Sequence, residues 1–192
     1  MKIGVLALQG DFAEHIVMLS KLGAETAEIR LPAQLDDLDG LIIPGGESTT
    51  IGKLMLDFDL FEPIRDFGLA HAIWGTCAGA ILLSKDARRN QPLLGLMDIT
   101  VERNAFGRQV DSFEAALNVS ELKQATDADE PFHAVFIRAP IIESVKGDAK
   151  IIASLPDGRI VAARQGNLLA TSFHPELTGD TRFHEYFLSL VE

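Results

Sequence analysis

An open α/β fold is predicted, with a mostly parallel central sheet, helices on both of its faces and some antiparallel strands in the second half. Three observations predict it. The apolar pattern switches repeatedly between strand-like and helix-like periods. The first half reads β-α-β-(α)-β-α-β-α. After residue 95 the strand-like runs come closer together, as strands joined by short turns do.

The elements follow in order. Residues 3–8 form a short apolar run, as expected for a buried parallel strand. Asp11 is read as the cap of a helix, with Glu14 three positions on and Phe12, Ile16, Leu19 and Leu22 at helical spacing. Gly23 stops that helix. Strands are expected at 27–31 and 41–43, the latter ending in Pro44-Gly45-Gly46. Helices are expected at 49–57 and 61–69. A strand at 72–74 runs into Gly75-Thr76-Cys77-Ala78-Gly79 and a helical Ala80–Leu83. Further strands are expected at about 98–102, 109–117, 133–138, 150–154, 159–163 and 167–173, with Pro156-Asp157-Gly158 as a hairpin turn. Residues 120–133 are loosely patterned. A terminal helix is expected at 179–191, carrying Phe183, Tyr186, Phe187 and Leu190. No repeat, linker or domain boundary interrupts the chain, so residues 1–192 are read as one domain.

Composition narrows the function. The 192 residues carry 17 Lys plus Arg against 28 Asp plus Glu, a formal net charge of −11. That sign repels phosphate backbones and anionic membranes, so nucleic-acid and membrane partners are not expected. No apolar stretch approaches membrane-spanning length, and no signal peptide is recognisable, so a cytoplasmic location is expected. A single cysteine excludes internal disulfides and cysteine-rich zinc sites. No metal spacing, dinucleotide fingerprint or Walker loop is present, so neither metal nor cofactor is expected.

Three local patterns can carry chemistry. Cys77 lies in G-x-C-x-G between a strand and a helix, a nucleophile elbow with Cys in place of Ser. Its thiol would stand at a helix N-terminus, which favours thiolate. A cysteine nucleophile needs a base, and the base needs an orienting partner. Among five histidines, His174 closes a strand in Ser172-Phe173-His174-Pro175-Glu176. In an extended segment residues two apart share a side, so Glu176 could hold one imidazole nitrogen. The other four histidines show no acidic companion in register. Finally, Pro44-Gly45-Gly46-Glu47-Ser48 could turn backbone N–H groups towards a ligand, forming an oxyanion hole with the N–H of Ala78.

In this order, P-G-G-E-S, G-T-C-A-G and H-P-E resemble the class I, triad-type glutamine amidotransferases, which implies a flavodoxin-like amidotransferase fold. Leu8-Gln9-Gly10, Glu102-Arg103-Asn104-Ala105-Phe106-Gly107-Arg108-Gln109 and Phe136-Ile137-Arg138-Ala139-Pro140 are more specific. They resemble the glutaminase subunits of pyridoxal 5′-phosphate synthases, over nearly the whole chain. The resemblance implies Cys77 as nucleophile, His174 as base and Glu176 as its partner. It implies glutamine contacts at Gly46, Glu47, Ser48, Arg103, Ile137 and Arg138. Free glutamine carries an ammonium and a carboxylate, so groups of both signs fit it. The implied reaction is hydrolysis of L-glutamine to L-glutamate and ammonia. The implied partner is a (β/α)8-barrel synthase subunit, whose docking activates a glutaminase that is weak alone. The P-G-G loop then completes the oxyanion hole, and the first helix and the Gln9-Gly10 turn meet the partner.

Overall fold

The computed structural model describes residues 1–103, 112–126 and 129–191. Asn104 to Gln109 of the E-R-N-x-F-G-R-Q segment, and the start of the strand expected at 109, lie outside them. In chain order the strands are β1 (Lys2–Leu6), β2 (Glu25–Ile29), β3 (Gly40–Ile43), β4 (Ala72–Thr76), β5 (Ser84–Asp86), β6 (Met97–Glu102), β7 (Ser112–Leu117), β8 (Phe132–Ile137), β9 (Ile141–Val145), β10 (Lys150–Ser154), β11 (Ile160–Gln165) and β12 (Leu168–Thr171). The helices are α1 (Phe12–Lys21), α2 (Ser48–Asp57), α3 (Phe61–Gly68), α4 (Ala78–Leu83), α5 (Ser120–Thr126) and α6 (Arg182–Leu190).

The main sheet runs β2-β1-β3-β4-β12-β11-β9-β6-β5, with β10 paired to β11. From β2 to β12 every neighbouring pair is parallel. This stretch has the doubly wound order in which the chain leaves β1 in one direction and β3 in the other, and ligands bind outside the carboxyl ends of such strands. Beyond β12 the pairings of β11, β9 and β6 are antiparallel, as the closer strand spacing predicted. β7 and β8 form a separate antiparallel pair. The Pro156-Asp157-Gly158 turn joins β10 to β11, with Gly158 at φ +89°.

Successive residues of the parallel strands enter opposite cores. Leu41, Ile43 and Ile73 pack with Ile51, Met55 and Leu82 of α2 and α4. Ile42 and Trp74 pack on the other face with Leu19, Phe173, Phe183 and Phe187. Each fully buried aliphatic side chain contributes at most about 1.5–3 kcal/mol. An exposed pair such as Arg65–Glu62, 3.8 Å apart, contributes under about 1 kcal/mol. The two cores therefore hold the sheet, and surface ion pairs do little.

Three elements differ from expectation. β5 and β9 were not anticipated, and α5 forms within the loosely patterned segment, anchored by buried Leu122. Helix α1 does begin after Asp11, but the Asp11 side chain makes no capping hydrogen bond.

The tight β4–α4 connection needs glycine on the α4 side. A Cβ at Gly79 would overlap the carbonyl oxygen of Ile43 in the neighbouring strand. Gly79→Ala is expected to lose about 1–3 kcal/mol or more of stability in urea unfolding. A stability equal to the parent would contradict this packing.

Candidate active site

The loops at the carboxyl ends of β1, β3, β4 and β12 converge on one cleft of about 440 Å³. Its lining includes Gly46, Glu47, Ser48, Cys77, Ala78, Arg103, Ile137, Arg138 and His174. Thus every site residue predicted from the sequence reaches the cleft except Glu176, which lies behind His174.

Cys77 occupies the turn between β4 and α4 with φ 47° and ψ −99°. A non-glycine residue held there stores on the order of 1–3 kcal/mol of backbone strain. The surroundings enforce it, because Cys77 N–H donates to Thr171 O at 2.8 Å. The elbow leaves Cys77 8% exposed, at the floor of the cleft.

His174 is positioned by its own backbone, whose N–H donates to Val135 O in β8 at 2.8 Å. Its Nδ1 lies 2.7 Å from Glu176 Oε1. The route to this contact differs from the expected extended alternation. Pro175 opens a short 3-10 turn, Pro175–Leu177, that folds Glu176 back beneath the ring. Burial opposes protonation of His174, but hydrogen bonding to Cys77 and to Glu176, reinforced by the charges of both, raises its pKa to about 10. An imidazolium facing a cysteine sulfur is the arrangement that a thiolate–imidazolium pair requires. Burial raises the Glu176 pKa, while its hydrogen bond to His174 pulls the other way.

A second carboxylate attends the same imidazole. Asp11 Oδ2 lies 3.5 Å from His174 Nδ1, so the residue read as a helix cap faces the histidine instead. Its N–H donates to Gly45 O at 3.2 Å, stitching the β1 loop to the β3 loop. Among the described residues, Asp11, His174 and Glu176 bring three potential metal-ligand atoms within 4.8 Å of one another. The shared Nδ1 is already committed to Glu176, which fits a proton better than a metal there.

The mouth of the cleft carries both signs of charge. Glu47 caps α2, accepting from Thr50 N at 2.8 Å. Burial acts against its ionisation, but hydrogen bonds from Thr49 and Thr50 outweigh it and hold the pKa at about 2. Arg103 reaches Glu47 Oε1 at 2.8 Å and Thr49 Oγ1 at 3.1 Å. Two residues of opposite charge expected to contact glutamine are therefore paired with each other. The Glu47 N–H donates to Gln9 Oε1 at 2.8 Å. Ser48 lines the cleft, but its hydroxyl donates to Gln91 Oε1 at 3.3 Å. Ile137 and Arg138 come from the end of β8, with Arg138 at φ 44°. Pro140, the last residue of the F-I-R-A-P segment, and Leu177, which follows His174-Pro175-Glu176, also line the cleft and were not named as glutamine contacts.

A further buried cluster adjoins the relay. His15 and His184 are fully buried, with His15 Nδ1 and His184 Nε2 3.0 Å apart. Trp74 meets both rings edge-on. Burial lowers His184 to about 3. Burial, then the charges of His184 and His174, lower His15 well below its usual value.

The sequence profile of the SNO glutamine amidotransferase family matches residues 5–192. The chain belongs to that family. It is 62% identical to the pyridoxal 5′-phosphate synthase subunit PdxT of Herpetosiphon aurantiacus, over 99% of this chain and 100% of that one. The PdxT subunit of Moorella thermoacetica is 56% identical over the full length of both chains. A crystal structure of a glutamine amidotransferase superposes with a TM-score of 0.91 at 49% identity, covering 98% of each chain. The more distant PurLQS structure from Thermotoga maritima, 16% identical with a TM-score of 0.75, shares the fold. Among the described residues no helix is long and apolar enough to cross a membrane.

The buried histidines of this SNO-family chain set a pH dependence. His184 titrates near 3 when folded and near 6.5 when unfolded. Its stabilising contribution is therefore present above about pH 6.5 and lost as the pH falls, at about 1.4 kcal/mol per pH unit. His174 works oppositely: its contribution is complete below about 6.5 and fades as the pH rises through about 10. Urea unfolding between pH 7.5 and 5 is expected to show a shallower loss for His184→Leu than for the parent. An identical slope in both would contradict the neutral burial of His184.

Proposed function

We propose that this chain is the glutaminase subunit of a pyridoxal 5′-phosphate synthase, acting as one domain over residues 1–192. It hydrolyses L-glutamine to L-glutamate and ammonia and passes the ammonia to a synthase subunit. The observation that carries this reading is the Cys77–His174–Glu176 arrangement at the floor of a cleft whose mouth holds Glu47 and Arg103. Full-length likeness to PdxT subunits supports the substrate and the pathway.

The reaction follows from the geometry. The Cys77 sulfur attacks the side-chain amide carbon of glutamine. The carbonyl oxygen becomes an oxyanion, and the N–H of Ala78, an early α4 amide without an intrahelical acceptor, is a suitable donor for it. The backbone at Gly46 is the second donor in this reading. His174 gives its proton to the departing nitrogen, so ammonia leaves and a γ-glutamyl thioester remains on Cys77. A water then attacks the thioester carbon while His174 takes up the water's proton. The thiolate departs, the proton remains on His174, and the γ-carboxylic acid product leaves as glutamate, giving its own proton to solvent. Glu176 holds Nδ1 throughout, so that the other ring nitrogen faces the sulfur.

The Arg103–Glu47 pair suits the amino-acid end of the substrate. Arg103 can accept the α-carboxylate in place of Glu47, and Glu47 is then free to take the α-ammonium. Ser48, Ile137 and Arg138 complete the substrate pocket. Ammonia released into water is protonated and lost as a nucleophile, so a one-domain glutaminase calls for a receiving partner. That partner is a barrel-shaped synthase subunit, and the setting is the cytoplasm. No metal, cofactor, nucleic acid or membrane enters the reaction as proposed.

The test is glutamine hydrolysis measured with and without the synthase subunit. Cys77→Ala is expected to abolish turnover in the complex, and full activity in that variant would end the proposal. Arg103→Ala is expected to raise KM about 10- to 100-fold, the loss for a hydrogen bond to a charged group. An unchanged KM would remove Arg103 from the substrate site.

A further inference from the structure

Behind the cleft, one atom of the relay is unaccounted for. Glu176 Oε1 serves His174, whereas Oε2 is fully buried without a hydrogen bond of ordinary geometry. A buried carboxylate oxygen in that position is costly unless a donor faces it. The Glu176 N–H also reaches the carboxylate, and the side chain that faces Oε2 is His15, whose Nε2 lies 3.4 Å from Oε2 and 3.2 Å from Thr76 Oγ1. His15 comes from the first turns of α1, far from Glu176 in the chain, and its own Nδ1 meets His184 Nε2 at 3.0 Å.

The partners decide the tautomer. If His15 carried its proton on Nδ1, its Nε2 lone pair would point at the carboxylate, and the Nδ1–H of His184 would be left buried without an acceptor. With the proton on Nε2, His15 donates towards Glu176 and Thr76 and accepts from His184. Only the bare lone pair of His184 Nδ1 then lacks a partner. The second arrangement leaves fewer groups unsatisfied and no repulsion.

We propose that His15 is a positioning residue for the Cys77–His174–Glu176 relay: as a neutral imidazole its Nε2–H steadies Oε2 of Glu176, so that Oε1 stays aimed at His174. His184 and the edge of Trp74 fix the ring plane of His15. This rests on the glutaminase reading above for its kinetic consequence, but not for its geometry. The titratable groups facing Glu176 are His174, His15 and Asp11, and those facing His15 are His184, Glu176 and, further off, His174. Without the His15 donor, the Glu176 carboxylate loses its favourable neighbour on Oε2. Its protonation then extends to higher pH, and the imidazolium of His174 is held less firmly. Both limbs of the pH–rate profile should move inward.

The experiment is steady-state glutamine hydrolysis by the complex with the synthase subunit. His15→Leu, which keeps bulk and removes the donor, is expected to lower kcat about 10- to 100-fold while KM stays within about twofold. The profile of kcat/KM should narrow from both sides. His15→Gln, whose amide can reach the same oxygen, should recover most of the loss. Equal losses in both variants, or a parental kcat in His15→Leu, would overturn the proposal. A parent complex that fails to turn over glutamine would instead overturn the glutaminase reading. Nitrogen NMR of the histidine rings in the unaltered chain decides the geometry without any variant. It should find neutral His15 protonated on Nε2 at pH 7, and a proton on Nδ1 would refute the inference.

Discussion

The parallel pairing of β4 with β12 brings together groups almost a hundred residues apart in the chain. Leu168 lies beside Ile73 and Thr171 beside Thr76, so the two strands end level with each other. One residue past β4 stands Cys77, and three past β12 stands His174. The same pairing is sealed at its end by the Cys77 N–H on Thr171 O and by Trp74 Nε1–H on Thr171 Oγ1, 3.1 Å away. A slip of this register by one residue would turn every side chain of β12 to the other face. It would separate the sulfur from the imidazole and bury the wrong residues in both cores at once. Function and stability therefore depend on one ladder of hydrogen bonds.

Electrostatics then act on what the ladder positions. Desolvation alone would keep His174 neutral, as it does His184 and, together with the charges of His184 and His174, His15. The difference is the company each ring keeps. His174 has a carboxylate on one side and a sulfur on the other, and these outweigh burial. His15 and His184 have mainly each other, a hydroxyl, an indole edge and one long contact to a carboxylate. Three buried histidines of identical intrinsic chemistry thus occupy two protonation states, one suited to proton transfer and two suited to fixed orientation.

The legible parts of the sequence were those whose physics is local. The Cys77 elbow is a five-residue pattern, because the strained turn and its close approach both demand glycine nearby. His174 and Glu176 are two residues apart, so their contact could be expected, although it is delivered by a 3-10 turn rather than by an extended strand. The parallel half of the sheet announced itself through continuous apolar runs. What escaped depended on distant partners. Asp11 looked like a helix cap because three residues on is a glutamate, yet its carboxylate is drawn to an imidazole at the far end of the chain. β9 reads Ile-Ile-Glu-Ser-Val, too mixed for an unambiguous strand, and is defined by the neighbours on either side. His15 carried no acidic companion in register because Glu176 reaches it only after folding. Gln9, expected in a turn that meets the partner, also accepts the Glu47 N–H, a contact between residues far apart in the chain.

In the proposed reaction the Cys77 sulfur, activated by His174, carries the substrate covalently. The most direct measurement is acid-quenched turnover of L-glutamine by the complex with the synthase subunit, followed by mass analysis of the Cys77 peptide. A γ-glutamyl adduct is expected on Cys77 during steady state, disappearing when glutamine is exhausted. Sustained ammonia release with Cys77 unmodified throughout, under quench conditions that preserve an authentic thioester, would contradict it.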